Sequence, residues 1–326
     1  MYRYIYILFF IVLGVSGDDT VTKVATSAAN WLKIDTGIRG ISMGSAQTAS
    51  GRGISAVHYN PASLAFIDRS ETFYSKSNYL AGITHNTIGY GTKLSPTDYF
   101  GLHLFYLDSG DMEVTTEFQP DGTEELFSVT NLSLRLLYGR QLTDRLRVGG
   151  ALKYIREDIF TTYMQSFVFD IGSNFDTGIY GVILGMSVSN FGSDVQFRGE
   201  GLEEVVPDSI AINETLSKIT SKFSVPLTFR LGLQKDLMFG DGEGANRLTV
   251  SADGINHIDY TVYGGVGVEY SWKDIAILRC GTRLFHDTAG ISAGFGLRWN
   301  MLMVDYAYVN YGILKETHQF GIIVEF

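Results

Sequence analysis

The chain of 326 residues has only 5 prolines and 1 cysteine, and charged residues make up 18% of it, below the roughly 25% of ordinary globular domains. The one cysteine, Cys280, leaves no intrachain disulfide. It does not stand behind the N-terminal apolar run where a lipidated cysteine would, so it reads as filler within a strand. Clustered Lys and Arg are missing as well, and with a formal net charge of −10 this argues against a nucleic acid or an anionic lipid surface as partner. There is no HExxH and no G-x-S-x-G elbow, and His58, His85, His103, His257, His286 and His318 are scattered without paired-ligand spacing. The sequence therefore predicts no catalytic residue, no metal and no cofactor. The run from Gly264 to Glu269 opens no helix, which separates it from a dinucleotide loop, and the acidic turn at 240–244 reads as solvated rather than as a cation site.

After the first seventeen residues no uncharged, glycine-free apolar run reaches the roughly 20 residues of a membrane-spanning helix. Those first residues hold Arg3, an apolar run from Tyr4 to Val15, and Ser16 and Gly17 ahead of Asp18 and Asp19, the layout of a cleaved signal peptide over 1–17. The remaining chain is then secreted, periplasmic or in the outer membrane.

What is abundant is glycine and aromatics, with 37 Gly, 19 Tyr and 21 Phe. From about residue 70 onward, segments near ten residues long carry apolar residues at every second position, separated by turn-rich breaks. The segments fall near 70–80, 83–93, 98–107, 126–140, 145–156, 164–174, 180–191, 226–236, 246–255, 260–272, 274–284, 288–299, 302–310 and 317–326. In 289–299 the residues Ala289, Ile291, Ala293, Phe295, Leu297 and Trp299 share one face, opposite Gly290, Ser292, Gly294, Gly296 and Arg298. A soluble sandwich of sheets would alternate in the same way. Strand length favours the membrane, because globular strands run about five or six residues and a tilted spanning strand about 9 to 11. Aromatics at segment ends, Tyr270, Trp272, Trp299, Tyr308 and Tyr311, fit an interfacial girdle.

These readings predict an all-β fold, a transmembrane antiparallel β-barrel of about 14 strands over 70–326 in the outer membrane of a diderm bacterium, with apolar residues toward lipid. With both termini periplasmic, the two longest connections, 108–125 and 192–225, face outside. The final strand places Phe320, Ile322, Val324 and Phe326 on one face, a terminal pattern that the barrel assembly machinery would recognise by edge pairing. Polar residues predicted to face the lumen are Arg135, Arg147, Lys153, Asp170, Arg230, Asp253, Arg283, Arg298, Asp305 and Glu325; both signs are present, so they pair with one another or stay wet.

Residues 18–69 do not alternate, and small residues such as Gly40, Gly44, Ala46, Ala49 and Ala56 suit close packing in a narrow space, so this segment is expected to plug the barrel. Val21 to Lys33 is expected to form a short amphipathic helix. Within the plug, Pro61 fixes its own φ and drives Asn60 out of the helical region. Asn60, Pro61 and Ala62 then either begin a short helix with Asn60 as its cap, or form a turn that gates the lumen.

The run RGISMGSA followed by AVHYNPASLAF, together with SADGINHIDYTVYGGVGVEY, ILRCGTRLF, GISAGFGLRW and VDYAYVNYGILKETHQFGIIVEF, resembles the PorV/PorQ family of outer-membrane proteins, a branch of FadL-like barrels. The resemblance covers both ends of the chain after residue 17, while the middle, about 108–245, matches only in pattern. It implies fourteen strands and a hatch motif at Asn60, Pro61 and Ala62, with Ser63 where the family often has glycine. It also implies one of two functions. The first is a non-enzymatic protein-export component, whose external loops bind secreted cargo of a type IX secretion system. The second, from the wider FadL-like resemblance, is a channel for hydrophobic small molecules such as long-chain fatty acids. For the channel, Val205, Val206, Ile210, Ile212, Leu216 and Ile219 in the second long loop offer an apolar site, or a short helix lying over the mouth as a lid.

Overall fold

The computed structural model describes residue 24 and residues 26–207, 213–239 and 246–326. The expected signal peptide over 1–17 and the acidic turn at 240–244 lie outside the described residues. Fourteen strands form the barrel: β1 (Ser70–Asn78), β2 (Thr84–Lys93), β3 (Asp98–Asp108), β4 (Val129–Gln141), β5 (Leu146–Ile159), β6 (Thr162–Asp176), β7 (Val182–Gly192), β8 (Thr228–Phe239), β9 (Asn246–His257), β10 (Tyr263–Trp272), β11 (Ala276–Leu284), β12 (Ile291–Trp299), β13 (Leu302–Asn310) and β14 (Glu316–Glu325). Each pairs antiparallel with its sequence neighbour, and β1 closes on β14 in a register running from Glu71 opposite Glu325 to Asn78 opposite His318. Closure is what hydrocarbon demands, since an unpaired strand edge in lipid would leave backbone N–H and C=O groups without partners.

Alternation sets which side chains meet lipid. On β12 the exposed residues are Ile291, Ala293, Phe295, Leu297 and Trp299, while Ser292 and Gly296 are buried. On β8, Phe229, Leu231 and Leu233 point outward and Thr228, Arg230, Gly232 and Gln234 inward. Cys280 sits on the outward face of β11. Two residues depart from the alternation. Ala289 lies in the turn ahead of β12 and is buried, and Tyr311, expected in the girdle, is buried against Tyr79 in an edge-to-face contact at 6.0 Å. Both stand where the strand has ended, so parity no longer directs the side chain.

The two long connections, 109–128 and 193–227, fall at the same end, while every connection at the other end is short, which makes the first the external end of an outer-membrane barrel. Each long loop holds a small antiparallel hairpin, Met112–Glu113 with Leu126–Phe127 and Glu203–Pro207 with Asn213–Ser217. The second is a hairpin and not the alternative short helix, in keeping with β-branched Val205, Val206 and Thr215. The side chains of 204–216 lie outside the described residues.

The segment before β1 fills the lumen. From Gly40 to Ala65 every residue is buried except Arg52. It folds as one helical turn at Ile38–Ser42 and three 3-10 turns, Asn30–Lys33, Ile54–Ala56 and Pro61–Phe66. Of the amphipathic helix expected over Val21 to Lys33, residues 21–23 and 25 lie outside the described residues, and over 26–33 it is corrected to the single turn Asn30–Lys33. Ala29 is left-handed at φ 51, and the N–H of Ala28 is spent on the carbonyl of Ser224, so a helical path does not run through 28–29 into the turn. Residues 28–32 pack against Val225 and Val195 at the external mouth, and the chain descends from there to Ser70.

Candidate functional site: the plugged lumen

The plug fits because the wall facing it is glycine. Gly149, Gly172, Gly185, Gly265, Gly281 and Gly294 all point inward, and a methyl group on any of them would lie inside van der Waals contact with plug backbone or side chains. Close approach of two backbones requires this. The barrel's high glycine content is thus spent largely on a socket.

Asn60 is the best-anchored residue of that socket. Its Oδ1 accepts the N–H of Ala62 at 3.0 Å, capping the 3-10 turn that begins at Pro61, while its Nδ2 donates to the carbonyls of Thr48 in the plug at 2.8 Å and Ser173 in β6 at 2.9 Å. Ala62 and Pro61 are buried behind it. One side chain therefore caps its own turn and ties two plug segments to the wall.

Charged side chains fasten the rest. Asp35 of the plug accepts Arg283 at 2.6 Å and Arg230 at 3.4 Å, from β11 and β8, and the hydroxyl of Ser45. Four residues on, Arg39 pairs with Glu269 of β10 at 2.7 Å, and Glu269 shares Arg279, which also holds Asp305 at 2.6 Å. On the other side, Asp170 takes Lys153 at 2.9 Å and Arg135 at 3.5 Å, and Arg135 donates to His58 of the plug. Burial, and then the nearby guanidiniums of Arg135 and Arg230, hold His58 well below the usual imidazole range, so it accepts as a neutral ring. Asp253 receives the N–H of Thr48 at 2.7 Å. Among these buried charges, pairing offsets desolvation.

Of the inward residues predicted from alternation, Arg135, Lys153, Asp170, Arg230, Asp253, Arg283 and Asp305 are therefore brought into this network. Arg147 lies nearer the periplasmic end, where its guanidinium covers Phe66 at 4.2 Å and donates to the carbonyl of Ala65, and Arg298 pairs with Glu325 at 2.9 Å. At the terminal strand, Phe320, Ile322 and Phe326 are exposed on the outward face and Val324 is half-buried. Asp35, Arg39, His58, Glu269 and Arg279 were not singled out in the sequence. Glu269 and Arg279 share the inward parity of their strands and were open to the same reasoning; the plug residues had no periodicity to mark them.

Two spaces flank the plug. At the external end, inward-facing Phe105, Leu107, Ile155, Met164 and Val168 make an apolar lining where a barrel interior is ordinarily polar, and Trp31 and Leu32 of the plug fill it. Trp31 stacks on Phe105 at 5.8 Å and donates to Glu157 at 3.0 Å. At the periplasmic end a cavity of about 540 Å3 opens beneath the turn Ile38–Ser42, walled by Ile277, Met303 and Ile323 and by the charged groups of Arg39, Arg52 and Asp236. Among the described residues no three His, Cys, Asp or Glu side chains converge as metal ligands would.

No protein-family profile and no curated protein matches the chain in sequence. In three dimensions it is similar to the CymD monoaromatic hydrocarbon channel, at TM-score 0.57 and 12% identity with 89% of this chain and 97% of that one covered. It is similar to the Pseudomonas putida toluene transporter TodX at TM-score 0.55 and 13% identity, covering 88% and 96%, and to a Pseudomonas aeruginosa FadL homologue at 0.51 and 13%, covering 89% and 98%. At such identities the likeness is one of fold. The chain is a closed fourteen-stranded outer-membrane β-barrel of FadL-like architecture.

Proposed function

We propose that this barrel is a channel for hydrophobic small molecules, with residues 28–66 as its plug. The observation that carries the reading is the apolar lining under the external mouth, which the chain's own Trp31 and Leu32 occupy. A hydrophobic solute competes for that lining by the same burial that seats Trp31. The plug below it is held by ion pairs and by the Asn60 anchor, and it must shift before the external site connects with the periplasmic cavity. The fold-level likeness to the CymD and TodX channels is in keeping with this. The outward row of Phe320, Ile322, Val324 and Phe326 serves, in this reading, recognition by the barrel assembly machinery.

The alternative, a PorV/PorQ-like export component that binds secreted cargo, rests on the resemblance of the end segments alone, and among the described residues no feature of the external loops favours it. Native mass spectrometry of protein extracted from its own membrane separates the two. The channel reading expects bound lipid-like or aromatic molecules; a co-purifying cargo polypeptide with an empty lumen would replace it with the export reading.

A further inference from the structure

The external connections differ in charge from everything else in the chain. Residues 109–128 hold six acids and no base, 193–227 six acids against three bases, and 258–262 and 285–290 one acid each, while Lys315 is the one base of 311–315. Together they carry the whole formal charge of −10, and the rest of the chain is balanced. A rim of one sign set in low-dielectric surroundings focuses its field on the mouth it encloses.

The interior below continues the pattern. The carboxylate beside the apolar lining is that of Glu157, bonded to Trp31. Lys33, near the same mouth, is bonded to Asp259 at 2.7 Å. In the small space between Trp31, Leu32 and Phe105, the free hydrogen-bonding groups include the neutral hydroxyls of Thr36 and Ser133, both buried and without a partner. Arg135, which borders the same space, bonds His58 and His103 and shares the one carboxylate of Asp170 with Lys153, and its Nε has no hydrogen-bond partner. Farther down, Arg230 and Arg283 are taken by Asp35, and Arg39 and Arg279 by Glu269. Arg52 and Arg147, which flank Phe66 past the plug, have no carboxylate within ion-pair distance. A hydrophobic carboxylate would pass the rim against its field and then lose its water beside Glu157 before it came within reach of Arg135.

We infer that the channel takes uncharged hydrophobic solutes, aromatic alcohols and hydrocarbons among them, and rejects hydrophobic anions of the same size, with the external rim and Glu157 as the filter. This rests on the channel reading above. The test is displacement of the neutral fluorescent probe N-phenyl-1-naphthylamine from the purified, detergent-solubilised full chain by a matched pair, 1-naphthalenemethanol and 1-naphthoate. At low salt the alcohol displaces the probe at a concentration at least about tenfold below that of the carboxylate. In about 0.5 M salt, where separated exposed charges are screened, the gap narrows, as it does when Glu157→Gln is combined with amides at the six acids of 109–128. Naphthoate displacing the probe as readily as the alcohol at low salt, or a gap indifferent to salt, overturns the filter while leaving the channel. Failure of the wild-type protein to bind the probe at all removes the channel and the filter together.

Discussion

Asp35 concentrates more of the plug's attachment than any other acidic side chain, because one carboxylate answers guanidiniums from β8 and β11. Asp35→Asn leaves both cations buried without a countercharge, a loss of about 3–5 kcal/mol by the measure of other broken buried pairs. We expect a lower thermal transition in detergent and a higher resting conductance in planar bilayers; a variant as tight and as stable as wild type would show that the pair is incidental. His58 gives a pH dependence of known sign. Its pKa is lowered in the folded state, so as pH falls below the roughly 6.5 of a free imidazole the unfolded chain gains a proton that the folded chain refuses, and stability declines. The transition temperature should drop between about pH 7.5 and 5, and drop less in His58→Gln. At this scale the sequence was half legible. Strand parity pointed Arg135, Lys153 and Asp170 inward, but nothing in the run around Asp35 and Arg39 said which wall residues they would meet, since that depends on where a non-periodic segment threads a closed space.

Glycine shows how elements fit. Gly172→Val would push a side chain into Asn60 and unseat the capped turn, whereas Gly150→Ala, on the outward face of the adjacent strand β5, meets nothing closer than the carbonyl of Asp170 at 3.7 Å. The first should raise leakage strongly and the second should leave conductance unchanged, read in the same bilayer assay; equal effects would mean that the glycines serve strand flexibility and not the socket. Trp31→Ala uncovers the apolar lining, and tighter binding of a neutral fluorescent hydrophobe by the variant is the expected result. The strands themselves were legible nearly to their ends, because period-two alternation survives wherever one face meets lipid and the other a polar interior. The described part of the helix expected over Val21 to Lys33 was not, because small apolar residues at helical spacing are equally suited to a chain packed on Val195 and Val225, and the left-handed Ala29 decides the matter there.

The whole molecule is a wall that lipid shapes from outside and a plug shapes from inside. Strand number and the side of each long loop followed from alternation and parity, while the position of the plug's first residues at the external mouth did not, since no local signal in them tells top from bottom. If the plug is a separable obstruction seated in a self-sufficient wall, removing residues 18–66 should leave a barrel that still assembles, shown by heat-modifiable mobility on a gel, and that conducts ions continuously in a planar bilayer. Deletion protein that assembles yet stays closed, or that fails to assemble at all, would contradict that account.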